Sequence, residues 1–174
     1  TLLDDDAIPD VHFLAASQTV SESVGAVSFR VDLDAVSGRS VQVAYAVTGT
    51  AGSLDHTLLS GTLTFAAGTI SKSVLFSVLD DNLYEPTAET VIATLNTPVN
   101  AQIVMPDTYT LTINDNEAQP QINIGDVTIT EGQTARFLVT MSGPAQDPVT
   151  FDWLSVDGTA TSASGDYTAQ ASAS

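Results

Sequence analysis

GAVSFRVDL, residues 25–33, sets Val27, Phe29, Val31 and Leu33 on every second position, with small, polar or charged residues between them. A period of two puts those four side chains on one face of an extended strand; a helix would scatter them around its circumference. The alternation returns on both sides of this stretch. SVQVAYAVTG carries Val41, Val43, Tyr45 and Val47, and GTLTF carries Leu63 and Phe65. SVLFSV, ETVIATL and DTYTLTI follow, with Val74, Phe76 and Val78, then Val91, Ala93 and Leu95, then Tyr109, Leu111 and Ile113. Adding the opening run VHFLAASQTVSE gives seven strands within about 105 residues, punctuated by Gly, Asn, Asp and Pro. Val, Thr, Tyr and Phe dominate them, as a pleated surface favours, and no helical period of useful length is present. That pattern predicts an all-β fold, an antiparallel seven-stranded immunoglobulin-like sandwich.

Composition narrows the chemistry. Of 174 residues, 43% are apolar and 14% charged, enough for a packed core. Acids outnumber bases by 21 to four, the bases being Arg30, Arg39, Lys72 and Arg136, for a net charge of −17. Nucleic acid and anionic membrane both require basic patches that such a chain lacks; cations or basic partners are its natural counter-charge. With no Cys, disulfides, zinc–thiolate sites and thiol catalysis are excluded. No apolar run is long enough to span a membrane, and the opening residues do not read as a signal peptide.

The chain also repeats itself. TLLDDDAIPDVHF (1–13) resembles TINDNEAQPQINI (112–124), VSESVGAVSFRVDL resembles ITEGQTARFLVTM, and VAYAVTGTAG resembles FDWLSVDGTAT. The expected organisation is therefore the tail of a preceding repeat at 1–6, a complete repeat at 7–117 and the N-terminal half of another at 118–174. That half would lack its later strands, leaving edges that pair with something else or stay mobile. Tyr45 and Trp153 occupy matching strand positions and are both expected in cores.

Strand parity then locates the acids. If seven strands run alternately up and down, the connections holding Glu22, Asp55, the segment Asp80 to Glu89, and Asp115 with Glu117 all lie at one end. The opposite connections offer only Asp34 and Asp107. Two unit charges 4 Å apart repel by about 1 kcal/mol in water and about 4 kcal/mol at an effective dielectric near 20, so an empty cluster is destabilising. Ca2+ removes that cost, because it accepts six to eight oxygen ligands in flexible geometry; Mg2+ demands a tighter octahedron. His12 and His56 have no second soft ligand nearby, which disfavours a transition metal. DDNLYEPTAE (80–89) fails the EF-hand template for want of Gly at its sixth position.

Other chemistries fit poorly. His56 beside Asp55 has no activated Ser partner. SGTLTFAAGTISKS lacks phosphate-loop spacing and reads as a hairpin. Paired carboxylates of a glycosidase would need a cleft with aromatic platforms, and aromatics are 6% and mostly at core positions. No enzyme is expected.

In order and spacing, TVSE (ending at Glu22), GTAGSLD (ending at Asp55), GTLTF with Gly68, VLDDNLYE and TLTINDNE resemble the Calx-beta domain family. That family is known from sodium/calcium exchangers, integrin beta-4 and bacterial surface proteins. The resemblance implies a seven-stranded sandwich holding calcium at one end. Its ligand positions fall on Glu22, Asp55, Asp80, Asp81, Glu85, Glu89 and Asp115, with the Leu83 carbonyl and Glu117 as further candidates. Three departures stand out: Glu85 and Glu89 are one residue wider apart than the family's Glu-x-x-Glu, Asn116 interrupts the closing acids, and His56 replaces the usual Tyr, kept as Tyr167. In the half repeat Glu131 and Asp166 match ligand positions, and Asp4, Asp5 and Asp6 would serve a preceding repeat; neither set is expected to bind calcium tightly alone.

The function so implied is a calcium-binding module of a tandem-repeat extracellular or cell-surface, adhesin-like protein on a membrane-associated parent. Calcium would stiffen its junction with neighbouring repeats. Its partners would be calcium, those repeats and a protein or glycan adhesion target, with edge-strand pairing through the half repeat. The alternatives are a structural spacer that binds no specific ion, the sensor domain of a larger transporter, and, more remotely, a carbohydrate-active accessory domain.

Overall fold

A computed structural model describes residues 7–171, which divide by their contacts into two compact units. The first comprises the chain to Asn82 together with Pro86–Glu117; the second comprises Leu83–Glu85 and the residues from Ala118 onward.

The first unit is a sandwich of two sheets. Its strands are β1 (Asp10–Phe13), β2 (Ser17–Ser21), β3 (Ala26–Leu33), β4 (Val41–Gly49), β5 (Gly61–Phe65), β6 (Ser71–Ser77), β7 (Glu89–Val99), β8 (Gln102–Ile103) and β9 (Thr108–Asn114). One sheet has the order β6-β3-β1-β8 and the other β2-β9-β7-β4-β5. Nine strands stand where the sequence pattern counts seven, for two local reasons. The opening run changes sheets: Phe13 still pairs with Val31 of β3, and by Ser17 the chain lies parallel to β9. The segment before Pro106 adds the two-residue β8, parallel to β1.

Alternation works as the sequence predicts. Val27, Phe29, Val31 and Leu33 of β3 are buried, as are Val41, Val43 and Tyr45 of β4 and Tyr109, Leu111 and Ile113 of β9. Each such side chain contributes about 1.5–3 kcal/mol when taken out of water. Phe29 ties the sheets together at the centre. Its ring lies 5.3 Å from Phe13, edge to face, and 5.5 Å and 5.4 Å from Tyr45 and Tyr109 of the opposite sheet.

The second unit repeats the register of the first. β10 (Ile122–Ile124) pairs with β11 (Val139–Met141), Ile122 opposite Met141 and Ile124 opposite Val139. The corresponding pairs in the first unit are Val11 with Leu33 and Phe13 with Val31. Among the described residues of this unit β10 and β11 are the only strands, and no second sheet covers their apolar face. The expectation for Trp153 is corrected accordingly. Tyr45 is 9% exposed and packed between sheets, whereas Trp153, its counterpart, is 45% exposed. The preceding-repeat acids Asp4, Asp5 and Asp6 lie outside the described residues.

Candidate metal centre

Strand register determines which acids meet. β2 runs parallel to β9 with Ser21 beside Asn114, so the next residues, Glu22 and Asp115, leave the sheet side by side. Glu22 opens a single 3-10 turn, Glu22–Val24, that carries the chain into β3. Glu117 folds back on Asp115, its N–H donating to Asp115 Oδ1 at 3.3 Å. Carboxylate oxygens of Glu22, Asp115 and Glu117 all lie within 4.8 Å of one another.

The other acidic connections reach the same end. Glu89 pairs with Ile113, two residues before Asp115 on β9. Gly49 of β4 pairs with Val91, and the chain leaving β4 stays bound to β7: Ala51 N–H donates to Thr90 O at 3.1 Å, and Thr90 N–H to Thr50 Oγ1 at 2.8 Å. Gly49 must be glycine here. Its φ is +138°, and a Cβ would collide with the Thr90 carbonyl. A turn then sets Asp55, whose Oδ2 accepts the Gly52 N–H, and carboxylate oxygens of Asp55 and Glu89 lie within 4.8 Å. From the other sheet, Val78 N–H donates to Gly25 O at 2.8 Å and Leu79 N–H to Asp55 O at 2.8 Å, so Asp80 and Asp81 begin at this end too.

The one-ended convergence expected from parity is thus present, but the acids do not form one ring. Glu22, Asp115 and Glu117 make one group and Asp55 with Glu89 the core of another. Asp80 and Asp81 stand outside both groups. Leu83 and Glu85 belong by their contacts to the second unit, where Glu85 Oε1 accepts from Gln146 Nε2 at 2.7 Å. Asp34 is used locally, its Oδ1 accepting the Asp10 N–H at 2.7 Å, and Asp107 joins no acidic group. Neither His12 nor His56 joins one; His56 Nδ1 accepts the Leu58 N–H at 3.1 Å.

The first group is strained electrostatically. Glu22, 4% exposed, is the one buried charged residue among those described. The Oε2 atoms of Glu22, Glu89 and Glu117 are all cut off from solvent, and that of Glu117 has no hydrogen-bond partner. The Glu117 carboxyl is pushed above the usual glutamate range, first by its hydrogen bond with the Asp115 side chain, then by burial and by the charges of Asp115 and Asp80. A shielded carboxylate oxygen with nothing to bond, facing two other acids, fits a hard cation with oxygen ligands. The donor set contains no sulfur or imidazole, which separates it from zinc or copper sites.

Sequence reasoning placed Glu22 among the candidates without anticipating its burial, and it missed the Thr50–Thr90 clamp. The GTA of GTAGSLD carries the only sequence signal for that clamp. In the second unit the turn recurs: Asp166 Oδ2 accepts the Thr161 N–H at 2.9 Å and also the Ser164 hydroxyl, which holds its carboxyl below the usual range. Neither Asp166 nor Glu131 belongs to a three-acid group among the described residues.

The Calx-beta domain profile matches residues 4–117 and 120–173, and the chain belongs to that family. No curated protein sequence matches. Among solved structures, the apo form of the Calx CBD1 domain is similar over 63% of this chain and 99% of that one, at 24% identity and a TM-score of 0.58. The calcium-binding domains CBD12 of CALX1.1 are similar at 25% identity and a TM-score of 0.56, over 60% of this chain and 44% of that one. CBD12 from CALX1.2 gives 24% and 0.58, over 76% and 57%. The chain thus spans about half the length of these two tandem relatives.

Proposed function

We propose that the first unit binds calcium through the acids at one end of its sandwich, as a non-catalytic module of a tandem-repeat extracellular or cell-surface protein of adhesin type. The observation that carries this reading is the convergence of Glu22, Asp115 and Glu117 within 4.8 Å, with a shielded, unbonded oxygen on Glu117. Glu22, Asp115 and Glu117 would hold one ion. Asp55 and Glu89, with Asp80, Asp81, Glu85 and the Leu83 carbonyl, supply the remaining candidate ligands. Bound calcium supplies positive charge, letting the acids coexist; the chain's part is to fix strand ends so that little reorganisation is needed. The description of the similar CBD12 of CALX1.1 as a calcium-binding domain supports the ion's identity.

Glu117 is followed at once by Ala118, Gln119 and Pro120, which lead into the second repeat. Ordering Asp115 and Glu117 on an ion restrains what is attached to them, so calcium stiffens the inter-repeat junction in this reading. Small-angle scattering of the whole chain should show a narrower distribution of dimensions in calcium than in chelator; identical curves count against stiffening.

Calorimetric titration of metal-stripped protein with CaCl2 and MgCl2 tests the function itself. Saturable calcium binding, with magnesium much weaker, is expected, together with a rise in melting temperature in calcium. An ion that binds only the folded form stabilises it by about 2.7 kcal/mol at a hundredfold excess over Kd. No heat and no thermal shift would leave a structural spacer.

A further inference from the structure

The first strand leaves a gap where it changes sheets. β1 pairs with β3 as far as Phe13 opposite Val31, and Leu14 N–H still donates to Arg30 O at 2.9 Å. The chain then crosses, and Ser17 already lies beside Thr110 of β9. Past the crossing β3 keeps β6 as its strand neighbour, with Arg30 opposite Ser73 and Ser28 opposite Leu75. Main-chain groups alternate in direction along an antiparallel strand, so those of Ser28 turn as the Arg30 carbonyl does, toward the place β1 has left. The result is a cleft of about 430 Å3, formed wholly by the first unit and within the roughly 300–1,000 Å3 range of small-molecule sites. The crossing segment contributes Leu14 and Ala15, and Phe29 and Tyr109 reach the cleft from the core, both nearly fully buried. Tyr109 OH donates to Gln18 Oε1 at 2.8 Å, which orients that amide and its NH2 donor group. Ser17, Ser28 and Ser73 bring hydroxyls that can donate or accept. Arg30, its side chain 46% exposed, adds a cation: Nε donates to Asp32 Oδ1 at 2.6 Å, and the two Nη groups carry the remaining donors.

We propose that this cleft binds a sugar acid, a hydroxyl-rich ligand with one carboxylate, Arg30 taking the carboxylate and the serines with Gln18 taking hydroxyls. The proposal goes beyond the calcium reading and stands without it. The lining selects the class. A guanidinium held along its Nε edge presents a planar pair of donors that matches a carboxylate. One such cation in a chain of net charge −17 favours a monoanion, because the surrounding field repels a phosphate dianion more strongly. Three hydroxyls and an amide around a small gap suit a ligand with a polar group on nearly every carbon. A fatty acid would need an apolar tunnel, and Phe29 and Tyr109 expose too little of their rings to line one. An added peptide strand fits poorly, since the cleft reaches only Ser28–Arg30 of β3 and Ser17 with Gln18 of β2. Asp32 shares the guanidinium and the cleft is open to water, so a weak dissociation constant, about 1 mM, is expected.

Nitrogen-15 amide spectra of the whole, metal-stripped chain, titrated with glucuronate, glucose and glucose 6-phosphate, test this without any part played by calcium. Glucuronate should shift the amides of Ser17, Gln18, Ser28 and Ser73 saturably. Glucose lacks the charged acceptor and should bind about tenfold more weakly or worse, as the loss of a charge-assisted hydrogen bond requires. Glucose 6-phosphate should also bind more weakly than glucuronate. Arg30→Gln should lower glucuronate affinity to that of glucose, and Arg30→Lys, which keeps the charge without the planar fork, should fall between. Arg30 is half exposed, and unchanged amide positions away from the cleft confirm that each variant is folded. Four outcomes overturn the proposal: no saturable shift at the cleft, glucose or the phosphate binding as tightly as glucuronate, shifts confined to the acidic end, or a folded Arg30→Gln variant with wild-type affinity.

Discussion

Glu22→Gln should move stability in opposite directions depending on whether calcium is present. The substitution keeps shape and an acceptor oxygen while deleting one charge from a group whose oxygens lie within 4.8 Å. At that separation the Glu22–Asp115 pair repels by about 0.9 kcal/mol in water and about 3.5 kcal/mol at an effective dielectric of 20. Glu22 is 4% exposed, so the upper half of that range applies, and roughly 2–3 kcal/mol is released in the metal-free protein. For a unit of this size 1 kcal/mol shifts the midpoint by about 4 °C, so the variant should melt about 10 °C higher in EGTA. In millimolar calcium the order should invert, because the variant loses a charged ligand and with it the ion's stabilisation. Differential scanning fluorimetry in both conditions suffices. A variant less stable than wild type in EGTA, or one with an undiminished calcium response, would refute the electrostatic account.

Two further outcomes follow from the same geometry. Gly49→Ala would drive a Cβ into the Thr90 carbonyl at a φ of +138°, so it should cost about 3 kcal/mol and weaken calcium binding; Gly38→Ala, with nothing within 4 Å, should be close to neutral in the same melts. The raised Glu117 carboxyl sets the sign of a pH effect. Its folded value exceeds its unfolded one, so its contribution is fully present below the ordinary glutamate range and is lost as pH rises through the raised value. Metal-free protein should therefore gain stability from this group as pH falls from 7 toward about 4.5. Glu117→Gln should remove that part of the pH slope, and an unchanged slope would dismiss the assignment.

Much of this was legible in the sequence because β-structure writes its faces in a period of two. Val27, Phe29, Val31 and Leu33 needed only alternation to be placed inside, and all four are buried. Parity was a weaker instrument, yet it put Glu22, Asp55, Glu89 and Asp115 at one end, since a strand that changes sheets still delivers its residues to the same end. What parity could not resolve was distance within that end. Whether Asp80 joins Glu22 or stands outside depends on register differences of one or two residues between strands of different sheets, and alternation carries no such information. Gly49 and the Thr50–Thr90 clamp were hidden for a related reason: they act through backbone approach, which leaves little mark beyond a Gly at a strand end.

Tyr45 and Trp153 show where local pattern stops being sufficient. Both sit in stretches that alternate correctly, and β10 with β11 reproduces the β1–β3 register pair for pair. A strand pair can therefore take its native register from local sequence alone, while burial of its apolar face requires an opposing sheet remote in the chain. Tyr45 has that sheet and Trp153, among the described residues, does not. The acids obey the same rule. Asp166 forms its turn as Asp55 does, because that turn closes within a few residues. Of the two, only Asp55 joins a group of at least three acids among the described residues, because Glu89 comes from a strand more than thirty residues away. Local sequence shapes each acidic turn, and long-range pairing brings the carboxylates together, so among the described residues the acidic groups form where the sandwich closes.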